Sequence, residues 1–174
     1  MSHTELRPAL RNLITKNNLI GAEIGVFQGH NAFFSLWYLN MDKLYLIDPY
    51  APAGVFEDKD PNVICHFAGR NLSPFNDKIV WLRMTSDKAI SHINETLDYV
   101  YIDGDHSYEW VMKDINNFYN KMKPGSIMGG HDFDGESNGV ERAVREFFGE
   151  KNIEVFSEFD LLHLNSHDWW VWIK

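Results

Sequence analysis

Apolar residues fall in short blocks along this chain, and the blocks alternate between two kinds of spacing. Continuous or alternating runs at residues 19–24, 44–47, 78–84, 99–102 and 126–130 read as buried strands. Between them, apolar positions recur at helical spacing. Leu6, Leu10, Leu13 and Ile14 predict a short helix within 5–18, with Pro8 in its first turn and Asn17-Asn18 at its end. Ala32, Phe33, Leu36 and Leu39 predict a helix over 30–40. Val111, Ile115, Phe118 and Met122 predict one over 108–122, closed by Lys123-Pro124-Gly125. Val140, Ala143, Val144 and Phe147 mark another from 139 to 148. Thr85-Ser86-Asp87 caps a helix over 87–94, and Asp60-Pro61 opens a short one ending near Phe67. Two late strands, 153–157 and 169–173, are separated by a loop from 160 to 168 and suggest a closing hairpin.

Strands alternating with helices predict an α/β domain with a mostly parallel sheet and helices on both faces. The 174 residues suit one domain spanning 1–174. No repeat, linker or low-complexity tract divides the chain. Residues 49–78 are its least regular part, holding Pro49, Pro52, Gly54, Pro61, Gly69 and Pro74, and they are a candidate lid or substrate loop.

Composition narrows the function. A net charge of −9, with no basic run, argues against a nucleic-acid partner, because a phosphate backbone requires a basic face. Cys65 is the single cysteine, so no internal disulfide or cysteine-rich zinc site is available. The start of the sequence lacks a signal-peptide pattern and no apolar run approaches a membrane span, so a cytoplasmic protein is expected. Aromatic residues make up 14% of the chain, enough for some to line a groove or an interface between subunits of a homo-oligomer. Trp169-Trp170-Val171-Trp172 is the candidate interface.

The candidate chemistry collects at strand ends. The first strand runs through Glu23 into Gly25-Val26-Phe27-Gln28-Gly29, a glycine turn leading into a helix start, where backbone can approach a ligand. The second strand ends at Asp48, 23 residues beyond Gly25, where an acid can accept hydrogen bonds from ribose hydroxyls. The pattern is E-x-G-x-x-x-G rather than G-x-G-x-x-G, which counts against a dinucleotide-dependent dehydrogenase. Later strands end at Ser86/Asp87, at Asp103-Gly104-Asp105-His106 and at His131-Asp132. In an open parallel sheet these ends share one edge. Carboxylates and imidazole from adjacent strands form a candidate divalent-cation site, Mg²⁺ favouring oxygen ligands and imidazole widening the choice toward Mn²⁺, Fe²⁺ or Zn²⁺.

Four segments carry a resemblance: 21–29, Leu46-Ile47-Asp48-Pro49-Tyr50, 101–108 with Asp103-Gly104-Asp105-His106, and Lys123-Pro124-Gly125-Ser126-Ile127. Together they resemble the class I S-adenosylmethionine-dependent methyltransferases, chiefly the small metal-dependent O-methyltransferases acting on sugars of antibiotics. The resemblance implies a Rossmann-like methyltransferase fold with a seven-stranded sheet and an antiparallel C-terminal hairpin. It implies S-adenosylmethionine as cofactor, with Mg²⁺ or Mn²⁺, and a sugar, glycoside or similar small molecule as acceptor. Glu23, Gly25 and Asn31 would line the methionine end, Asp48 the ribose, and Ser86 and Asp87 the adenine. Asp103 would face both cofactor and metal, and Asp103, His131 and Asp132 would be the metal ligands. The general base would be Asp105 or His106, and imidazole is the stronger base of the two. The family usually has Asp-Asp or Asp-Asn where this chain has His131-Asp132. Tyr50, Tyr108 and Trp110 are candidates for shaping the acceptor pocket. A metal-independent N-methyltransferase and a non-catalytic cofactor-binding subunit are the competing readings.

Overall fold

The computed structural model describes residues 5–51, 60–135, 139–158 and 166–174. Its strands are β1 (Leu19–Ile24), β2 (Met41–Ile47), β3 (Ile79–Leu82), β4 (Leu97–Ile102), β5 (Met122–Gly130), β6 (Glu154–Glu158) and β7 (Ser166–Trp172). They form one sheet in the order β3-β2-β1-β4-β5-β7-β6. The pairs from β3 to β5 are parallel, and β7 runs antiparallel to both β5 and β6. The α/β class, the seven strands and the antiparallel hairpin are as the sequence predicts. The chain order of the last two strands is exchanged in space, so β7 is an inner strand. Trp169 and Trp170 are therefore buried on opposite faces, and of the aromatic run only Trp172 is exposed.

The helices are α1 (Pro8–Arg11), α2 (His30–Tyr38), α3 (Pro61–Leu72), α4 (Ser86–Ala89), α5 (Tyr108–Tyr119) and α6 (Val140–Phe148). On one sheet face, Ala22, Ile24, Val100, Ile102, Met128 and Trp169 pack with α5 and α6 through Val111, Ile115, Phe118, Ala143 and Val144. On the other, Leu44, Leu46, Tyr99, Tyr101 and Ile127 pack with α1 and α2 through Leu10, Ala32 and Leu36. β1 and β4 lie mid-sheet and are buried on both faces over most of their length, as strands covered on two sides must be.

Several boundaries move. The helix expected over 5–18 contracts to one short α-helix, Pro8–Arg11. Residues 49–78 hold more structure than expected: α3 runs on to Leu72, capped by Asp60, whose carboxylate accepts the Asn62 amide at 2.8 Å. Residues 52–59 of the candidate lid lie outside the described residues, as do 159–165 of the hairpin loop. α5 stops at Tyr119, and β5 starts at Met122, before the Pro-Gly pair expected to separate helix from strand. The β4–β5 register shifts there, which lets β5 pass through Pro124 and Gly125.

The end of β1 is set by Gly25. Its φ is +85°, and a Cβ there would lie 1.9 Å from the Asp103 carbonyl oxygen. No other residue type permits that approach. Gly125 has φ +76° but open space around it. Gly25→Ala is expected to cost on the order of 3 kcal/mol, as strain and overlap combine, whereas Gly125→Ala costs about 1 kcal/mol from backbone strain alone. Urea denaturation of both variants checks the difference.

Candidate active site

The glycine turn after β1 is held from the next strand. Asp48 Oδ2 accepts the backbone amides of Val26 and Phe27, each at 3.0 Å, and Oδ1 accepts that of Tyr50 at 2.7 Å. Charge-assisted hydrogen bonds of this kind contribute roughly 1.5–3 kcal/mol each. Asp48, read from sequence as a ribose acceptor, is thus also the organiser of the turn, with Oδ1 retaining a free lone pair direction. Phe27, Tyr50 and Asp132 all have positive φ, at 49°, 46° and 59°. These sparsely populated conformations follow the ends of β1, β2 and β5, along one edge of the sheet, where strain is expected to collect around a functional site.

Glu23 faces the α2 side of the sheet and is 1% exposed. Asn31, from the first turn of α2, donates through Nδ2 to Glu23 Oε2 at 3.0 Å. Burial, with the neighbouring charge of Asp103, pushes the Glu23 carboxyl well above its ordinary value, against the pull of Arg7 and Asn31. The Asn31 Oδ1 atom is buried without a hydrogen-bond partner. A buried carboxylate and an unsatisfied amide oxygen side by side are acceptors for a cationic N–H donor.

At the ends of β4 and β5, backbone bonds fix the strand ends: the Asp103 amide donates to Ile24 O at 2.8 Å and the His131 amide to Ile102 O at 3.2 Å. Asp103, His131 and Asp132 each present a ligating atom, all within 4.8 Å of one another. His106 reaches into the same group. Its Nδ1 donates to Asp132 Oδ2 at 2.9 Å, and its Nε2 lies 3.5 Å from Asp103 Oδ1. His131 Nδ1 is 2.8 Å from Asp132 Oδ1. Hydrogen bonding to Asp103 and then Asp132 pushes His106 up to about 10. The same two histidines, His106 first, hold Asp132 well below the usual carboxylate range. For His131, burial opposes the charged form, but Asp132 outweighs it and the pKa is raised.

The structure separates the two candidate bases. His106 joins the cluster; Asp105 is exposed and accepts the Ser107 amide at 2.9 Å, an Asx turn ahead of α5. Ser86 and Asp87 lie at the start of α4. Ser86 Oγ donates to Asp114, and Asp87 accepts Lys113 Nζ at 2.9 Å. The aromatic candidates for the acceptor pocket each have a partner within the fold. Tyr50 is buried against Trp81 and donates to Phe27 O at 3.1 Å, Arg142 lies 4.1 Å over the Tyr108 ring, and Lys113 lies 4.3 Å over Trp110.

Three residues near the site were not picked out from sequence. Asp114 is buried, and burial raises it to about 6 despite Ser86; an acid on the apolar 111–115–118 stripe of α5 was its signal. Arg7 and Asp168 come from α1's N-cap and from β7, and nothing in their local sequence pointed to the site.

The methyltransferase-domain family matches residues 22–133. An uncharacterised protein of Acanthamoeba polyphaga mimivirus is 30% identical over 131 residues, which is 72% of this chain and 57% of that protein. The chain thus spans little more than half of that relative. Among solved structures, an O-methyltransferase from Bacillus cereus in complex with S-adenosylhomocysteine superposes with a TM-score of 0.70 at 13% identity, over 99% of this chain and 82% of that one. The O-methyltransferase TomG from Streptomyces achromogenes, with S-adenosylmethionine, gives 0.69 at 13% identity over 95% and 78%. An rRNA methylase from Streptococcus thermophilus gives 0.68 at 12% identity over 100% and 95%. By its family match the chain belongs to the methyltransferase domains, and it shares its fold with the methyltransferase structures above.

Proposed function

We propose that this domain transfers a methyl group from S-adenosylmethionine to a hydroxyl of a sugar or similar polar small molecule, assisted by a divalent cation. The observation that carries this reading is the junction of the Gly25 turn with the carboxylate–imidazole cluster, pressed together by the Gly25–Asp103 contact. Methyl transfer needs a cofactor seat and an acceptor-activating group within one space.

The residues suit both groups. Glu23 and the unsatisfied Asn31 Oδ1 would accept the ammonium of the cofactor's methionine end, and Asp48 Oδ1 a ribose hydroxyl. Asp103, His131 and Asp132 would hold the cation, an O,O,N set that favours Mn²⁺ or another transition ion over Mg²⁺. A cation held there would orient a hydroxyl and make its proton easier to lose. Transfer is a direct displacement: the acceptor oxygen forms a bond to the methyl carbon while the carbon–sulfur bond breaks, leaving a neutral thioether. The acceptor proton goes to His106. While both carboxylates hold its ring, His106 carries a proton at neutral pH and is an acid rather than a base. Ligation by Asp103 and Asp132 would withdraw those acceptors and return the ring toward its ordinary value.

The net charge of −9 supports a small molecule over RNA as acceptor. Among the described residues no helix is long and apolar enough to cross a membrane. The concentration of Glu23, Asp103 and Asp132 also favours one second reading, a metal-independent N-methyltransferase whose acceptor is an amine.

Calorimetric titration with S-adenosylhomocysteine, with and without Mg²⁺ and Mn²⁺, is expected to show micromolar binding, weakened about tenfold by Glu23→Gln. Folded protein that binds none of it removes the methyltransferase reading. Transfer to sugar hydroxyls should be stimulated by Mn²⁺ more than Mg²⁺; chelator-resistant transfer to amines selects the second reading. In metal-free protein, imidazole NMR should place the His106 titration well above that of a free histidine, and Asp132→Asn should lower it. The raised pKa means that His106 adds stability in full below about pH 6.5, and that this is lost as pH rises through about 10. The stability gap between the native protein and His106→Gln should therefore narrow over that window in pH-dependent urea denaturation.

A further inference from the structure

The sheet register builds a lateral row beneath the site. Glu23 on β1 pairs with Tyr101 on β4, Tyr101 with Gly129 on β5, and Gly129 with Trp170 on β7. Partners in register share a face, here the face covered by α1 and α2. Gly129 is the low point of the row. A Cβ there would come within 3.2 Å of Ala9 Cβ and 2.7 Å of the Trp169 carbonyl, so the missing side chain is what lets α1 settle onto the sheet. Arg7, the N-cap of α1, is thereby laid across the row.

Its guanidinium is gripped from behind. Arg7 Nη1 donates to Asp168 Oδ1 at 3.3 Å, and Tyr101 OH donates to Asp168 Oδ2 at 3.2 Å. The guanidinium also lies 5.8 Å over the Tyr101 ring. Asp168 is fully buried, whereas the Arg7 side chain is 25% exposed. The anchored cation therefore sits beside Tyr101, next to Glu23 in the row, and its charge acts on Glu23, Asp103 and His131. Around Glu23 the other charged groups, Asp103 and Asp48, are both acidic. Burial and these carboxylates disfavour the charge on Glu23, and the fixed cation works against them.

We infer that Arg7, anchored by Asp168 and Tyr101, is a positioning residue for the methionine end of the cofactor: its fixed charge favours the ionised form of Glu23, which the cofactor's arriving ammonium group would complete. This inference rests on the cofactor reading above. It assigns to α1 and β7, which lie outside residues 22–133, a part in cofactor binding.

Two ligands separate positioning from scaffolding. S-adenosylhomocysteine carries the amino-acid end; 5′-methylthioadenosine keeps the adenosine and sulfur but lacks that end. Calorimetry with both is run on the native protein, Arg7→Lys, Arg7→Met and the double variant Arg7→Met/Asp168→Asn. The double variant avoids stranding the Asp168 charge in the interior and keeps the comparison available if Arg7→Met does not fold. The expected result is a tenfold or greater loss of S-adenosylhomocysteine affinity in the Met-bearing variants. Their 5′-methylthioadenosine affinity should change less than twofold, and Arg7→Lys should stay within about threefold of native for both ligands. A parallel loss of both ligands makes Arg7 a scaffold residue and overturns the inference, as does unchanged affinity for S-adenosylhomocysteine. Native protein that binds neither ligand overturns the cofactor reading, and this inference with it.

Discussion

The contact between the Gly25 backbone and the Asp103 carbonyl governs the arrangement of the rest. Parallel strands ordinarily diverge into separate loops once their hydrogen bonding ends. Here the first residue past β1 turns with φ +85° directly against the first residue past β4, with no room for a side chain between them. Asp48 completes the constraint from β2 by accepting the Val26 and Phe27 amides. The turn that would carry a cofactor and the loop that carries Asp103 and His106 therefore cannot move independently. In the proposed reaction, activation of an acceptor and presentation of a methyl group would be coupled by this backbone packing.

The site is built at an electrostatic cost. Glu23, Asp103 and Asp132 stand close together at one edge of the sheet, and the protein offsets this with cations of two kinds. His106 and His131 are local and titratable, each bonded to Asp132. Arg7 is permanently charged and reaches the site from α1, fixed by Asp168 on β7. A permanent charge suits the deep end of the site, where Glu23 is sealed from water, and imidazoles suit the outer end, where the proposed reaction would move a proton.

Much of the site was legible in local sequence because its residues are strand-terminal. A parallel α/β sheet carries the ends of its strands to one edge, so Glu23, Asp48, Asp103, His131 and Asp132 could be gathered from hydrophobic periodicity and the polar residue that follows each run. The choice between Asp105 and His106 was not legible. Both follow Gly104, and only the folded loop shows one turning back to cap α5 while the other enters the cluster. Nor could the sequence show the neighbours of Tyr50, Tyr108 and Trp110, which in space lie beside Trp81, Arg142 and Lys113.

The sequence by itself determined the α/β class, the alternation of strands and helices and the edge at which the polar residues meet, since these follow from short-range periodicity and the backbone freedom of glycine. Tertiary structure alone decided that β7 enters between β5 and β6, that Gly129 opens a seat for α1, and that Arg7 meets Asp168 across 161 positions of the chain. Each of these depends on which surfaces meet after the strands have paired. A part-buried ion pair between such distant residues leaves no pattern around either one.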